Sequence, residues 1–216
     1  MTTIGKDIRI LLSIDNKRGD LMKLLIVYTH PNHQSLCYAL LQKVIEGSKK
    51  NEKIHDIKTL DLYQDNFNPI LTFNPNKKRR NMYCDPEFEK YRGQISWADK
   101  IVFIYPIWWG RPPAMLLGYF DQVFSSKFAY KETGKLLPEG LLKNKSVICI
   151  STMKGPTHYP LLLLNNAHKK LMKKAIFSFV GIKKVKLFEF GGMEKSNGKQ
   201  KKNLRKIYSY MSKIRG

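Results

Sequence analysis

The segment Tyr105-Pro106-Ile107-Trp108-Trp109-Gly110-Arg111-Pro112-Pro113 sets two adjacent indoles between prolines. Prolines stiffen a turn, Gly110 permits close backbone approach, and indoles offer flat apolar walls. A planar aromatic ligand would suit such a loop; tryptophans packed as core or as a dimer contact would leave the same residues. A second segment, Thr29-His30-Pro31-Asn32-His33-Gln34-Ser35-Leu36-Cys37, is a polar turn running into a helical pattern. The first N–H groups of a helix lack backbone partners, and the helix dipole favours an anion there. Ser35 can cap the helix and bond a phosphate oxygen, and His30 can add a donor; a capping serine with no ligand is the plainer reading. The chain has neither GxGxxG nor GxxxxGK[ST], so neither the usual dinucleotide fingerprint nor a P-loop applies. His30 and His33 lack a third ligand, and no metal is expected. The third segment is Ser151-Thr152-Met153-Lys154-Gly155-Pro156-Thr157-His158-Tyr159. Its small and hydroxyl residues can present donors to a ring system, and Lys154 can set a cation near developing negative charge. His158 and Tyr159 are candidate proton donors, although packing is the commoner fate of such residues.

Each segment follows an apolar run of strand length. Leu24–Tyr28, Ile101–Ile107 and Val147–Ser151 are continuous apolar runs, as expected for strands buried on both faces. Ile54–Leu62 and Val185–Phe190 read as further strands. Helical spacing marks Ser35–Lys49, Glu87–Trp97, Ala114–Phe124 after its two prolines, Leu161–Phe179 and Lys199–Lys213. Asp65–Arg80, rich in Asn and holding two prolines, reads as loop. Strands alternating with helices predict an α/β domain with a parallel sheet covered on both faces. Five strands suggest the flavodoxin-like order 2-1-3-4-5, with ligands bound outside the carboxyl ends near strands one and three.

The chain has 216 residues, 43% hydrophobic and 12% aromatic, which excludes disorder and allows one ordinary domain. Its three cysteines, Cys37, Cys84 and Cys149, form no CxxC pair, so a reducing cytoplasm is expected rather than a secreted disulfide scaffold. No apolar run approaches the ~18 residues of a membrane span. Lys and Arg number 39 against 17 Asp and Glu, a net +22. From Lys169 to Gly216 there are 15 basic and two acidic residues. This excess reads either as a solvated lysine-rich surface or as a face for phosphates, nucleic acid or anionic lipid; no aromatic-interleaved basic motif supports nucleic acid. Residues 1–21 read as an N-terminal extension ahead of the domain at 22–216, with Met22 as the natural start. Lys17-Arg18-Gly19-Asp20 can be encoded in purine-rich codons resembling a bacterial ribosome-binding site.

These segments together resemble the flavodoxin-like NAD(P)H:quinone oxidoreductases, the DT-diaphorase family and its bacterial relatives. The resemblance spans about Met22 to Gly192 and rests on several stretches. These are His30-Pro31-Asn32 with Ser35, Asp61-Leu62-Tyr63 leading to Phe67-Asn68-Pro69, and Trp97-Ala98-Asp99. Tyr105-Pro106-Ile107-Trp108-Trp109 followed by Pro113-Ala114 and Gly118-Tyr119-Phe120-Asp121-Gln122-Val123-Phe124 is the most specific, and Phe128-Ala129-Tyr130 and Glu139-Gly140-Leu141-Leu142-Lys143 continue it. The resemblance implies non-covalent FMN or FAD, with NAD(P)H as co-substrate. His30, Ser35, Leu36 and Cys37 would hold its phosphate, and Pro106, Ile107, Trp108, Trp109 and Gly110 would lie along the isoalloxazine. Thr152, Met153, Lys154 and Tyr159 would meet its pyrimidine side. Phe128 and Tyr130 would reach a substrate pocket of the partner in a homodimer. Cys37 stands where the family has Asn. Met153 and Lys154 replace the Gly-Gly of the animal enzymes and resemble a bacterial subgroup with Thr-Met. The animal enzymes' catalytic histidine has no counterpart, leaving His158 and Tyr159 as the catalytic expectation. The implied reaction is ping-pong hydride transfer from NAD(P)H through the flavin to a quinone. A flavodoxin-type electron carrier and an ancillary subunit of a potassium-efflux system are the alternatives on the same fold.

Overall fold

The computed structural model describes residues 21–134, 136–156, 158–192 and 198–215, without the side chain of Tyr159. The extension and its purine-codon segment therefore fall, but for Leu21, outside the described residues. The three continuous apolar runs are strands with almost no contact with water, which the covering of both faces requires. Strands form at β1 (Met22–Tyr28), β2 (Ile54–Asp61), β3 (Lys100–Pro106), β4 (Tyr130–Lys131), β5 (Glu139–Gly140), β6 (Ser146–Thr152) and β7 (Lys184–Phe190). Among the described residues five of them make one parallel sheet in the order β2-β1-β3-β6-β7. This is the expected 2-1-3-4-5 arrangement. The antiparallel pair β4–β5 lies apart from it and was not anticipated, because two-residue strands carry no periodicity.

Helices α1 (Leu36–Lys49), α2 (Glu89–Trp97), α3 (Ala114–Val123), α4 (Tyr159–Leu163), α5 (Ala167–Lys170) and α6 (Gly198–Met211) cover the sheet. Leu40 and Val44 of α1 and Ile207 and Met211 of α6 pack on Leu24, Ile26 and Ile104 of one face. Ile95, Tyr119, Phe120 and Phe177 pack on Leu25, Val27 and Phe103 of the other. Two glycines set how closely these layers approach. A Cβ at Gly47 would stand 2.6 Å from the Tyr208 carbonyl oxygen of α6, and one at Gly118 would stand 2.3 Å from that of Pro69.

The predicted helix over Leu161–Phe179 is instead broken. Asn165 and Asn166 adopt left-handed backbone at φ 46° and 55°, a conformation that asparagine tolerates better than other side chains. α4 ends before them, and α5 restarts after them and widens into a π-helical stretch at Leu171–Ser178. The break turns the chain so that His168 points under the sheet's carboxyl edge, where it is 1% exposed. His168 Nδ1–H donates to Glu189 Oε1 of β7 at 2.6 Å, and its Nε2 accepts from the Tyr105 hydroxyl of β3 at 3.0 Å. Lys169 Nζ meets the other Glu189 oxygen at 3.1 Å. Burial pushes the Glu189 carboxyl upward, but the bonds from His168 and Lys169 outweigh it and hold the group below the usual range.

Candidate functional site

At the carboxyl edge, the chain leaves β1 for α1 on one face of the sheet and leaves β3 for α3 on the other. Two neighbouring strands are thus left in opposite directions, which opens a crevice between their loops. The loops after β1, β3 and β6 meet there. They enclose two adjoining clefts of about 380 and 620 Å³ that share Ile107, Met153 and Lys154. The first is also lined by His30, Leu36, Pro106, Trp108 and Thr152. The second takes Trp109, Gly110, Gly155, Pro156, Pro160 and Leu164.

The wall after β3 is a tight turn. Trp108 and Arg111 exchange backbone hydrogen bonds at 3.0 and 3.1 Å, and the two residues between them, Trp109 and Gly110, have φ of 52° and 70°. Two positive φ values make this a mirror-image turn, the kind that usually takes Asn-Gly or Asp-Gly. A bulky residue at positive φ is strained, and such strain tends to collect at functional loops. Trp109 is also 96% exposed, so burial gives no return for that strain in the single chain. Trp109→Gly should therefore raise the stability of the ligand-free chain by about 1 kcal/mol. A urea midpoint that stays the same or falls would show that the indole has a packing role.

The floor at α1 carries donors. Ser35 caps the helix by accepting from the Tyr38 N–H at 3.2 Å, and its Oγ lies 3.3 Å from the Tyr28 hydroxyl. Leu36 and Cys37, at the first two helical positions, present N–H groups that the intrahelical ladder does not use. His30 Nδ1 accepts from the Asn32 N–H at 3.0 Å, which leaves the proton on Nε2 as a donor. Burial, with His33 nearby, lowers the His30 pKa below its ordinary value. Its ring centroid lies 6.0 Å from that of Trp108, linking the donor floor to the indole wall. Cys37 Sγ turns inward to Thr152 Oγ1 at 3.2 Å and ties the start of α1 to the end of β6. His33 instead bonds Asp61 at 2.6 Å. Among the described residues no three His, Cys, Asp or Glu side chains converge as a metal would require.

Of the expected site residues, His30, Leu36, Pro106, Ile107, Trp108, Trp109, Gly110, Thr152, Met153 and Lys154 line the two clefts. Ser35 serves as the cap, and Cys37 is buried behind the floor. His158 is exposed at the start of α4 and lines neither cleft. Tyr159 opens α4, but its side chain is outside the described residues. Phe128 and Tyr130 also line neither cleft; Tyr130 packs edge-on against Phe179 with centroids 5.0 Å apart. Gly155 and Pro156 belong to the third segment expected at the strand ends, whereas Pro160 and Leu164 lie beyond it, and Leu164 is brought in by the helix break.

Comparison with known proteins gives the same outline. Residues 22–213 match the family model described as flavodoxin-like fold. A Haemophilus influenzae protein named as an uncharacterized NAD(P)H oxidoreductase is 32% identical over 184 residues, 84% of this chain and 89% of its own length. An FMN-dependent NADH:quinone oxidoreductase of Clostridium perfringens is 26% identical over 167 residues, 74% of this chain and 80% of its own. The crystal structure of Smu.1420 from Streptococcus mutans superposes with a TM-score of 0.82 at 39% identity, covering 89% of this chain and all of that one. With its strand order, its crevice at the β1–β3 reversal and these relatives, the chain belongs to the flavodoxin-like NAD(P)H oxidoreductase family.

Proposed function

We propose that this chain is a flavin-dependent oxidoreductase that moves reducing equivalents from NAD(P)H to a quinone-like acceptor, with FMN as the flavin. The observation that carries the reading is the pair of joined clefts, with an apolar wall at Ile107 and Trp108 and anion donors at the α1 floor. The residues suit the group. The first cleft offers flat apolar surface beside uncommitted N–H donors, and the second continues it under the Trp109 turn. Gly110 leaves no slack at that turn, since a Cβ there would meet Leu164 Cδ1 at 2.8 Å.

A bound flavin would supply the two-electron hydride chemistry between nicotinamide and acceptor. The chain's residues do the rest. The Leu36 and Cys37 N–H groups and the His30 Nε2–H hold the phosphate. Pro106 and Gly110 fix the turn, and Ile107 and Trp108 would give the ring an apolar wall. Lys154 borders both clefts and sets a cation where negative charge accumulates. Trp109 and Leu164 exclude water from the second cleft, which donor and acceptor occupy in turn in a ping-pong cycle. His158 and Tyr159 are the proposed proton donors to the reduced acceptor. Phe128 and Tyr130 are proposed to serve the partner's cleft in a homodimer.

The test is anaerobic and sequential. The purified chain is loaded with FMN or FAD, mixed with NADH or NADPH, and then with a benzoquinone. The reading expects preferential retention of FMN, bleaching of its visible band by the nicotinamide, and return of the band on quinone addition. A chain that holds flavin but leaves NADH and NADPH unconsumed would be a carrier instead.

A further inference from the structure

The opposite edge of the sheet holds a second, differently built cleft. Lys100, Ser146 and Lys184 stand side by side at the starts of β3, β6 and β7. Strand alternation puts Lys184 and Lys186 on the same face as Phe188, the face that α6 covers. The ammonium groups of Lys186 and Lys206 lie 5.8 and 5.7 Å from the Phe188 ring centre. A cleft of about 490 Å³ opens there, lined by Lys100, Lys206, Lys213 and Arg215 together with Ser209 and Tyr210. Among the described residues no acidic side chain lines it and none of those four cations is ion-paired.

Lys100 separates this cleft from an ordinary lysine-rich surface. It is 8% exposed, and its Nζ donates to Ser146 Oγ at 2.7 Å. Burial first, and then Lys184, pushes its pKa below the usual lysine value, while Asp99 pulls the other way. Buried charges are normally paired, and among the described residues the Lys100 ammonium meets only the Ser146 hydroxyl. Two of the carbonyls at and just after the end of α6, those of Met211 and Ile214, already accept from Asn51 Nδ2 at 3.0 and 2.9 Å. Four cations around a space of small-ligand size call for a compact anion carrying several charges.

We propose that this cleft binds a di- or triphosphate group. Seven residues of β3, about 20 Å of strand, separate it from the flavin-site crevice, so it does not depend on the function proposed above. Such a group could belong to a nucleotide or to free oligophosphate, and Tyr210 is the residue that would tell them apart by stacking on a base.

The experiment is calorimetric titration of the full chain, saturated with FMN, with tripolyphosphate, ATP and sulfate at constant ionic strength. Lys206 and Arg215 are exposed, so Lys206→Gln/Arg215→Gln should fold normally. We expect tripolyphosphate and ATP to bind well above sulfate, and the double variant to weaken both by about tenfold or more. Lys174→Gln, with FMN bound, removes an exposed charge from the Leu171–Ser178 stretch, whose Met172 and Phe177 pack on the opposite face of the sheet, and should leave that binding unchanged. ATP binding more tightly than tripolyphosphate, with Tyr210→Leu removing the difference, would identify a nucleotide; equal affinities would identify free oligophosphate. The proposal fails if sulfate matches tripolyphosphate or if the double variant binds as the parent does. It also fails if a single-stranded oligonucleotide displaces ATP with a steep salt dependence, because the face would then be a nucleic-acid track.

Discussion

His168→Leu is expected to cost the fold about 3–5 kcal/mol, the usual penalty for removing one member of a buried polar pair. Leucine fills much of the imidazole's volume but leaves the Tyr105 hydroxyl without its acceptor and one Glu189 oxygen without its donor, both under the sheet edge. Lys169 retains the other oxygen, which puts the loss towards the lower end of that range. Tyr105→Phe removes a donor and leaves both bonds to Glu189, so about 1 kcal/mol is expected from it. Urea unfolding of both variants gives the comparison; equal losses would mean that the hydroxyl and the carboxylate are not held as described. pH provides a second check. The Glu189 carboxyl titrates lower in the folded chain than in the unfolded one. Its stabilising contribution is therefore complete above the unfolded value near 4.5 and is lost as pH falls through the lower folded value. In that acid range the parent should lose its advantage over Glu189→Gln. Because His168 opens the segment that follows the Asn165–Asn166 break, loss of the anchor should also loosen the α4 loop over the second cleft.

Lys154→Met carries the largest expected effect on activity. Lys154 borders both clefts, and methionine keeps most of its length without the charge. If the ammonium stabilises charge that develops during reduction, its removal should slow bleaching of bound flavin by saturating NADH about 10²-fold, the scale seen when one such electrostatic group is removed. Flavin retention should change much less, since the proposed phosphate donors are at α1 and not at Lys154. Stopped-flow reduction and fluorescence titration of the flavin separate the two quantities. A parallel fall in both would make Lys154 a binding residue only. Lys154→Arg, which keeps the charge, should restore most of the rate.

Much of this arrangement could be read from residues close together in sequence. The apolar runs after Met22 and before Pro106 and Thr152 announce buried strands, and Ser35 announces the start of α1, because each signal is local. The segments at the strand ends were legible for the same reason: their unusual residues stand side by side. The Trp109 turn was read as a ligand wall but not as a left-handed turn, since tryptophan is among the last residues expected at positive φ. Asn165-Asn166 was legible in principle, but the apolar spacing on either side suggested one continuous helix. The Tyr105–His168–Glu189 chain was not legible. Its members come from two strands and a helix, 63 and 21 residues apart, and only the helix break aligns them.

The inward turn of Cys37 has a consequence for a protein proposed to handle quinones, which are electrophiles that arylate sulfur. Cys37 opens the helix under the first cleft, where an exposed thiolate would compete with the intended reaction. Burial raises its pKa to about 12, despite the bond to Thr152, and burial also takes Cys149 to about 12. At neutral pH both stay as unreactive thiols, since only the thiolate is strongly nucleophilic. The exposed Cys84 lies in the 3₁₀ turn Arg79–Cys84, outside both clefts. The sulfur nearest the proposed chemistry is thus shielded from self-inactivation by the same packing that joins α1 to β6.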